Sequence, residues 1–194
     1  HRGALKRVWS VDAYVSQPHD FLFTFDASPW GLGGMLVVRG VGVAWFSSPF
    51  SSFDEAVFRH KRGGGASGQQ TWETLAALVG LRAWAARWIT QRTLVTVRGD
   101  NVSALTAVFK LKAPPGNGRF LARELSLEFT DAAYEPEVAA HLPGVANVIA
   151  DRLSRRHEPN THWELPHELE SVPESKMPLR DLTYYKTKPP AKHE

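Results

Sequence analysis

Residues 21–46 read FLFTFDASPWGLGGMLVVRGVGVAWF, and this stretch decides the fold. Phe21–Ala27 is rich in aromatic residues and bounded by turn formers, the signature of a strand. Pro29 and Gly31 mark a turn. Gly34–Arg39 and Val41–Phe46 follow as two further strands around Gly40, so a three-stranded meander is expected. Within the first strand one residue is out of place. Asp26 interrupts an apolar run where an unpaired charge is costly to bury.

Working outward, residues 47–69 read as a loop, with Arg59-His60-Lys61-Arg62 ahead of Gly63-Gly64-Gly65. Thr71–Ile89 is a helix. Trp72, Leu75, Ala76, Val79 and Ala83 recur at steps of three and four, and Leu78, Leu81, Trp84 and Trp88 widen the apolar arc. Leu94–Arg98 is a short strand. Asp100 or Asn101 then caps a helix through Leu111, with Val102, Leu105, Val108 and Phe109 as its inner face. Pro114–Gly118 breaks the pattern. Arg119–Ala133 is amphipathic, Tyr134–Leu142 reads as a strand and Asn147–Arg155 as a short helix. The order βββ-α-β-α-α-β-α implies an α/β domain with helices packed on a mixed sheet. It spans residues 21–156, after a lead-in of residues 1–20. Six of the 13 prolines fall in residues 159–190, so 157–194 is expected to be a Pro-rich tail or linker, with a course over the domain surface as one option.

The composition is that of a globular chain: 194 residues, 43% apolar, 22% charged. No run approaches the ~18 apolar residues of a membrane span, so no membrane partner is expected. The absence of cysteine excludes disulfides, thiolate zinc sites and a cysteine nucleophile, and fits an intracellular protein. His157, His162 and His167 lack helix-face spacing for zinc. A net charge of +3 and a pI near 9.3 are compatible with a nucleic-acid partner. The start at His1 suggests a piece of a longer polypeptide.

Four acids carry the chemistry. Three have ordinary readings. Glu73 can favour a helix N-terminus, Asp100 can cap a helix, and Asp151 can pair with Arg155 four residues on. Asp26, within a strand, has none. Pairing of the 94–98 strand beside the first would bring Asp26 and Asp100 onto neighbours about 4.8 Å apart. A helix crossing that face would add Glu73. Such a cluster repels itself without cations, and Mg²⁺ is the natural counterion because it prefers hard oxygen ligands. Two ions about 3.5–4 Å apart can activate water and stabilise the leaving oxygen of a phosphodiester.

The segments around these acids resemble a known family. Phe25-Asp26-Ala27-Ser28-Pro29-Trp30-Gly31-Leu32-Gly33-Gly34 is similar to the D-A-S-x-x-G-x-G segment of retroelement ribonucleases H. Gln70-Thr71-Trp72-Glu73 with Ala76 and Ala77 resembles their E-x-x-A helix, and Gly99-Asp100-Asn101 their D-N step. His141-Leu142-Pro143-Gly144, Asn147, Ala150-Asp151 and Leu153-Ser154-Arg155 resemble the H-x-P-G-x-x-N-x-x-A-D-x-L-S-R run of gypsy-like and related retrotransposons. The four acids occur in the family's order, with 47, 27 and 51 residues from each to the next.

The resemblance implies a ribonuclease H-like α/β fold with a five-stranded mixed sheet. It implies a tetrad of metal ligands, Asp26, Glu73, Asp100 and Asp151, holding two Mg²⁺ ions for which Mn²⁺ can substitute. The implied activity is endonucleolytic cleavage of the RNA strand of an RNA–DNA hybrid, with a reverse transcriptase upstream in a parent polyprotein. His141, ten residues before Asp151, matches the position of a mobile catalytic histidine, or ends a strand. Asn101 and Asn147 lie within the resembling segments and are candidate substrate contacts. Arg59, Lys61, Arg62, Lys112 and Arg119 are candidate phosphate contacts by charge alone, against the reading of solvated loop and helix faces. The alternatives are an integrase-like or exonuclease relative, or a non-catalytic nucleic-acid-binding or scaffold module on the same fold.

Overall fold

A computed structural model describes residues 21–65, 68–87, 93–101, 104, 117–131, 134–141 and 147–187. The meander is present: β1 (Phe21–Ala27), β2 (Gly31–Val38) and β3 (Val41–Pro49) pair antiparallel. β4 (Thr93–Gly99) lies parallel to β1, and β5 (Tyr134–His141) parallel to β4. The mixed sheet therefore runs β3-β2-β1-β4-β5. Helices α2 (Gln69–Ala83), α3 (Asn117–Asp131) and α4 (Val148–Ser154) match three expected ones. The expected helix through Leu111 lies outside the described residues, apart from helical Ala104. Among the described residues, no helix is long and apolar enough to cross a membrane.

Two glycines set the helix positions. Gly80 seats α2 on β1: a Cβ there would come within 2.2 Å of the Phe23 ring. Glu73 lies seven residues earlier on α2, about 10.5 Å along the axis. Asp26 lies three residues beyond Phe23, about 10 Å along the strand. The matching lengths bring Glu73 to the C-terminal end of β1. On the other face, Gly33 is the register partner of Asp26, and α4 crosses directly above it. A Cβ on Gly33 would stand 2.5 Å from the Ser154 nitrogen and 2.6 Å from the Ala150 carbonyl oxygen.

Three sequence expectations need correction. First, β2 begins at Gly31 and β3 reaches Pro49, and 51–58 is no loop. Helix α1 (Ser52–Phe58) starts on a capping box in which Ser51 and Asp54 exchange hydrogen bonds. Second, α2 ends at Ala83, well before Ile89. Trp84 leaves the helical conformation and sets its ring edge-on to Phe23, centroids 5.3 Å apart. Third, residues 157–187 are packed on the domain. Leu169 is buried with Trp45 and Leu153, and Tyr185 belongs to the main core. Arg180, 3% exposed, donates through Nε to Asp54 Oδ2 at 2.8 Å and through Nη1 to Ser48 Oγ at 2.7 Å. The Tyr185 hydroxyl donates to the other Asp54 oxygen at 2.9 Å. Trp45 exchanges backbone hydrogen bonds with Pro173 and Ser175, so this segment covers part of the outer edge of β3.

Truncation after Arg156 is therefore expected to prevent cooperative folding. It strips Asp54 of two partners, and breaking a buried pair alone costs roughly 3–5 kcal/mol. A thermal or urea melt of the truncated chain checks this; an unchanged melting temperature would contradict it. Gly33→Ala should destabilise the full chain by roughly 1–3 kcal/mol, the usual cost of overpacking. Urea unfolding of the variant beside the parent measures that difference.

Candidate metal centre and nucleic-acid interface

Three of the four acids converge. Asp26 on β1, Glu73 on α2 and Asp100 just past β4 each offer an oxygen, and the three atoms lie within 4.8 Å of one another. Asp26 and Glu73 are buried, and Asp100 is half-buried. The parallel pairing of Thr24 with Arg98 explains the approach, since Asp26 and Asp100 lie two residues further along each chain.

Hydrogen bonds orient the cluster from behind. The Ser154 hydroxyl donates to Asp26 Oδ2 at 2.7 Å. Ser28 Oγ donates to the Ser154 carbonyl at 2.8 Å, tying the end of α4 to the end of β1. The Gln69 amide donates to Glu73 Oε1 at 2.8 Å and to the Ala27 carbonyl. Glu73 Oε2 is buried and has no hydrogen-bond partner among the described residues.

Burial lifts the Asp26 carboxyl from 3.8 to about 6; the Ser154 hydroxyl opposes this, and the charges of Asp100 and Asp151 reinforce it. Burial, and then the charge of Asp26, push Glu73 well above the ordinary carboxylate range. An orphaned, buried carboxylate oxygen within an all-oxygen donor set fits a hard divalent cation such as Mg²⁺ or Mn²⁺.

Asp151 stands beside this group. It acts on Asp26 through space, and its Oδ1 accepts from Arg155 Nε at 2.8 Å. The pairing weighed from sequence as the ordinary role is thus present, alongside proximity to the cluster. His141 ends β5, and its backbone pairs in register with Gly99, next to Asp100.

Both asparagines hold backbone groups of the fold. Asn147 is buried, and its amide donates to the Phe25 carbonyl at 2.9 Å, which locks the start of α4 onto β1. Asn101 Oδ1 accepts from the Ala104 backbone at 3.0 Å, a capping role for which its type and position were the signal.

The basic residues stay at the surface. Arg59, Lys61, Arg62 and Arg119 are exposed, and Lys112 lies outside the described residues. Arg59 adopts the left-handed conformation that ends α1, and Arg62 meets Glu55. Gly63 donates its backbone N–H to the Pro29 carbonyl at 2.9 Å, holding this loop against the β1–β2 turn. Sequence reasoning missed Ser28, Gln69 and Ser154 as positioning residues. Ser28 and Ser154 stood inside the quoted motifs, but their partners lie more than 120 residues apart.

No known family model matches the chain, and no curated protein matches it. Among solved structures it is similar to RNase H1 from the halophilic archaeon Halobacterium salinarum NRC-1. The TM-score is 0.54, with 19% sequence identity, covering 73% of this chain and 98% of that one. At that identity the likeness is one of architecture, and the chain has a ribonuclease H-like α/β fold.

Proposed function

We propose that this chain is a metal-dependent endonuclease that hydrolyses the RNA strand of RNA–DNA hybrids. The observation that carries the reading is the convergence of Asp26, Glu73 and Asp100, with an orphaned buried oxygen on Glu73, at the strand ends of a ribonuclease H-like sheet. Asp26, Glu73 and Asp100 would hold Mg²⁺ or Mn²⁺, with Asp151 at the rim. A pair of ions held there would supply an activated water and stabilisation of the departing oxygen. The protein's own part is positional. Ser154 and Gln69 fix the carboxylates, and the exposed Arg59, Lys61, Arg62 and Arg119 are available to phosphates of the duplex. His141, whose register partner Gly99 directly precedes Asp100, is proposed as an accessory to turnover. The motif order 26, 73, 100, 151 further supports a place beside a retroelement reverse transcriptase.

Labelled RNA–DNA hybrid, duplex DNA and duplex RNA, each incubated with Mg²⁺ or Mn²⁺, test this reading. RNA-strand cleavage confined to the hybrid is expected, and Asp100→Asn should abolish it. Equal cutting of duplex DNA would overturn the reading, as would intact hybrid under both metals in a sample shown to bind it.

The raised carboxyl of Asp26 makes stability depend on pH. A group whose pKa is higher folded than unfolded contributes stability below the unfolded value of 3.8, and loses it as pH rises through about 6. The metal-free parent should therefore lose this contribution between about pH 4 and 7. Asp26→Asn keeps an acceptor for Ser154 and has no charge to bury. Its metal-free form should be more stable than the parent at pH 8, by roughly 3 kcal/mol, with the gap closing near pH 4. Melting curves of both proteins across this range, in chelator, check the sign.

A further inference from the structure

At the end of helix α4, Arg155 pairs with Asp151 and directly follows Ser154, whose hydroxyl bonds Asp26. Arg155 Nε lies 2.8 Å from Asp151 Oδ1, and Nη1 lies 3.8 Å from Glu158 Oε2. The spacing Asp151–Arg155 is i,i+4 with the acid N-terminal, the favourable order on a helix. The guanidinium is charge-coupled inward as well. The Asp151 hydrogen bond raises its pKa, and the buried Asp26 acts in the same direction. Asp151, by contrast, is not among the three acids whose oxygens converge. The neighbouring cations are engaged elsewhere: Arg152 reaches the Glu164 carbonyl, and Arg156 pairs with Glu174 and lies over the rings of Trp45 and Trp163.

We propose that Arg155 is a resident cation of the site, which competes with a divalent ion for the Asp151 carboxylate and so sets the metal concentration at which Asp151 is recruited. The inference rests on the metal-dependent reading above. Its physical basis is that one carboxylate oxygen at the rim has two possible counterions. Arg155 and Asp151 are 48% and 40% exposed, so the pair can open without leaving a buried charge behind. An exposed pair of this kind shifts an equilibrium by roughly 1.5- to 5-fold. The guanidinium therefore acts as a threshold and does not close the site.

Calorimetric titration of the full chain with Mn²⁺, in the absence of nucleic acid, tests the proposal. The proteins compared are the parent, Arg155→Gln, Arg152→Gln, Asp151→Asn and the Asp151→Asn/Arg155→Gln double variant. Arg155→Gln is expected to bind Mn²⁺ about 1.5- to 5-fold more tightly, and Arg152→Gln like the parent. Arg155→Gln should add nothing once Asp151 is Asn. Unchanged or weaker binding by Arg155→Gln would overturn the proposal. So would an equal gain from Arg152→Gln, or one that persists without Asp151, because either would be a general effect of charge. In each of these cases a parent that binds Mn²⁺ leaves the metal-dependent reading standing. A parent with no Mn²⁺ response defeats both together.

Discussion

The close approach of α4 to β2 at Gly33 is the contact on which the site depends. Sheets and helices ordinarily pack with side chains between them. Here the helix backbone lies on a strand residue with no side chain, directly beside Asp26 in the register. Only at that separation can the Ser154 hydroxyl reach Asp26 and the Ser28 hydroxyl reach the Ser154 carbonyl. Asn147 completes the clamp at the other end of the helix through the Phe25 carbonyl. α4 has only 7 residues, too short to be stable alone. Its geometry comes from these contacts, and with it the positions of Asp151 and Arg155.

The cluster is held against its own electrostatics. Burial and mutual repulsion both oppose full ionisation of Asp26 and Glu73. The opposing force is apolar. Ten successive residues of α2, Trp72–Leu81, are buried, between β1 on one side and α3 on the other. A helix buried all round cannot slide to relieve Glu73 without opening the core. Gly80 against Phe23 fixes its register, so the same packing that stabilises the domain keeps the carboxylates close.

Much of this was legible in the sequence where local chemistry and periodicity agree. The strand around Asp26, the apolar arc of α2 as far as Ala83 and the strand that ends just before Asp100 all lie where they were read. Convergence of the acids followed from strand pairing and helix direction, which a mixed sheet constrains tightly. Helix α1 was read as loop: Ser51 and Asp54 carried its capping signal, but a 7-residue helix shows little periodicity beside the basic and glycine-rich stretch after it. The segment 157–187 was not legible for a different reason. Its anchors are Leu169, Arg180 and Tyr185, isolated residues that fit pockets made by distant elements, and they obey no period. Prolines that suggest a linker serve equally well in a chain laid over a surface.

That segment changes what the domain is. β3 lies at the end of the sheet, and an uncovered edge offers unpaired backbone groups to any passing strand. The backbone bonds of Trp45 to Pro173 and Ser175 cover part of that edge, and Trp84 reaches the same segment through Ser175 Oγ at 3.0 Å. Further along, Lys186 and Thr187 donate backbone N–H groups to the buried Glu124, which Arg82 of α2 also holds. The C-terminal residues therefore tie β3, α1, α2 and α3 to one another. The archaeal RNase H1 is matched over nearly its whole length, yet it covers 73% of this chain. The architecture shared between them is thus smaller than the unit that folds here. Asp54, 0% exposed and bonded to both Arg180 and Tyr185, shows how far the extra chain has become part of the core. A carboxylate can occupy that position only when the segment that neutralises it is folded over it.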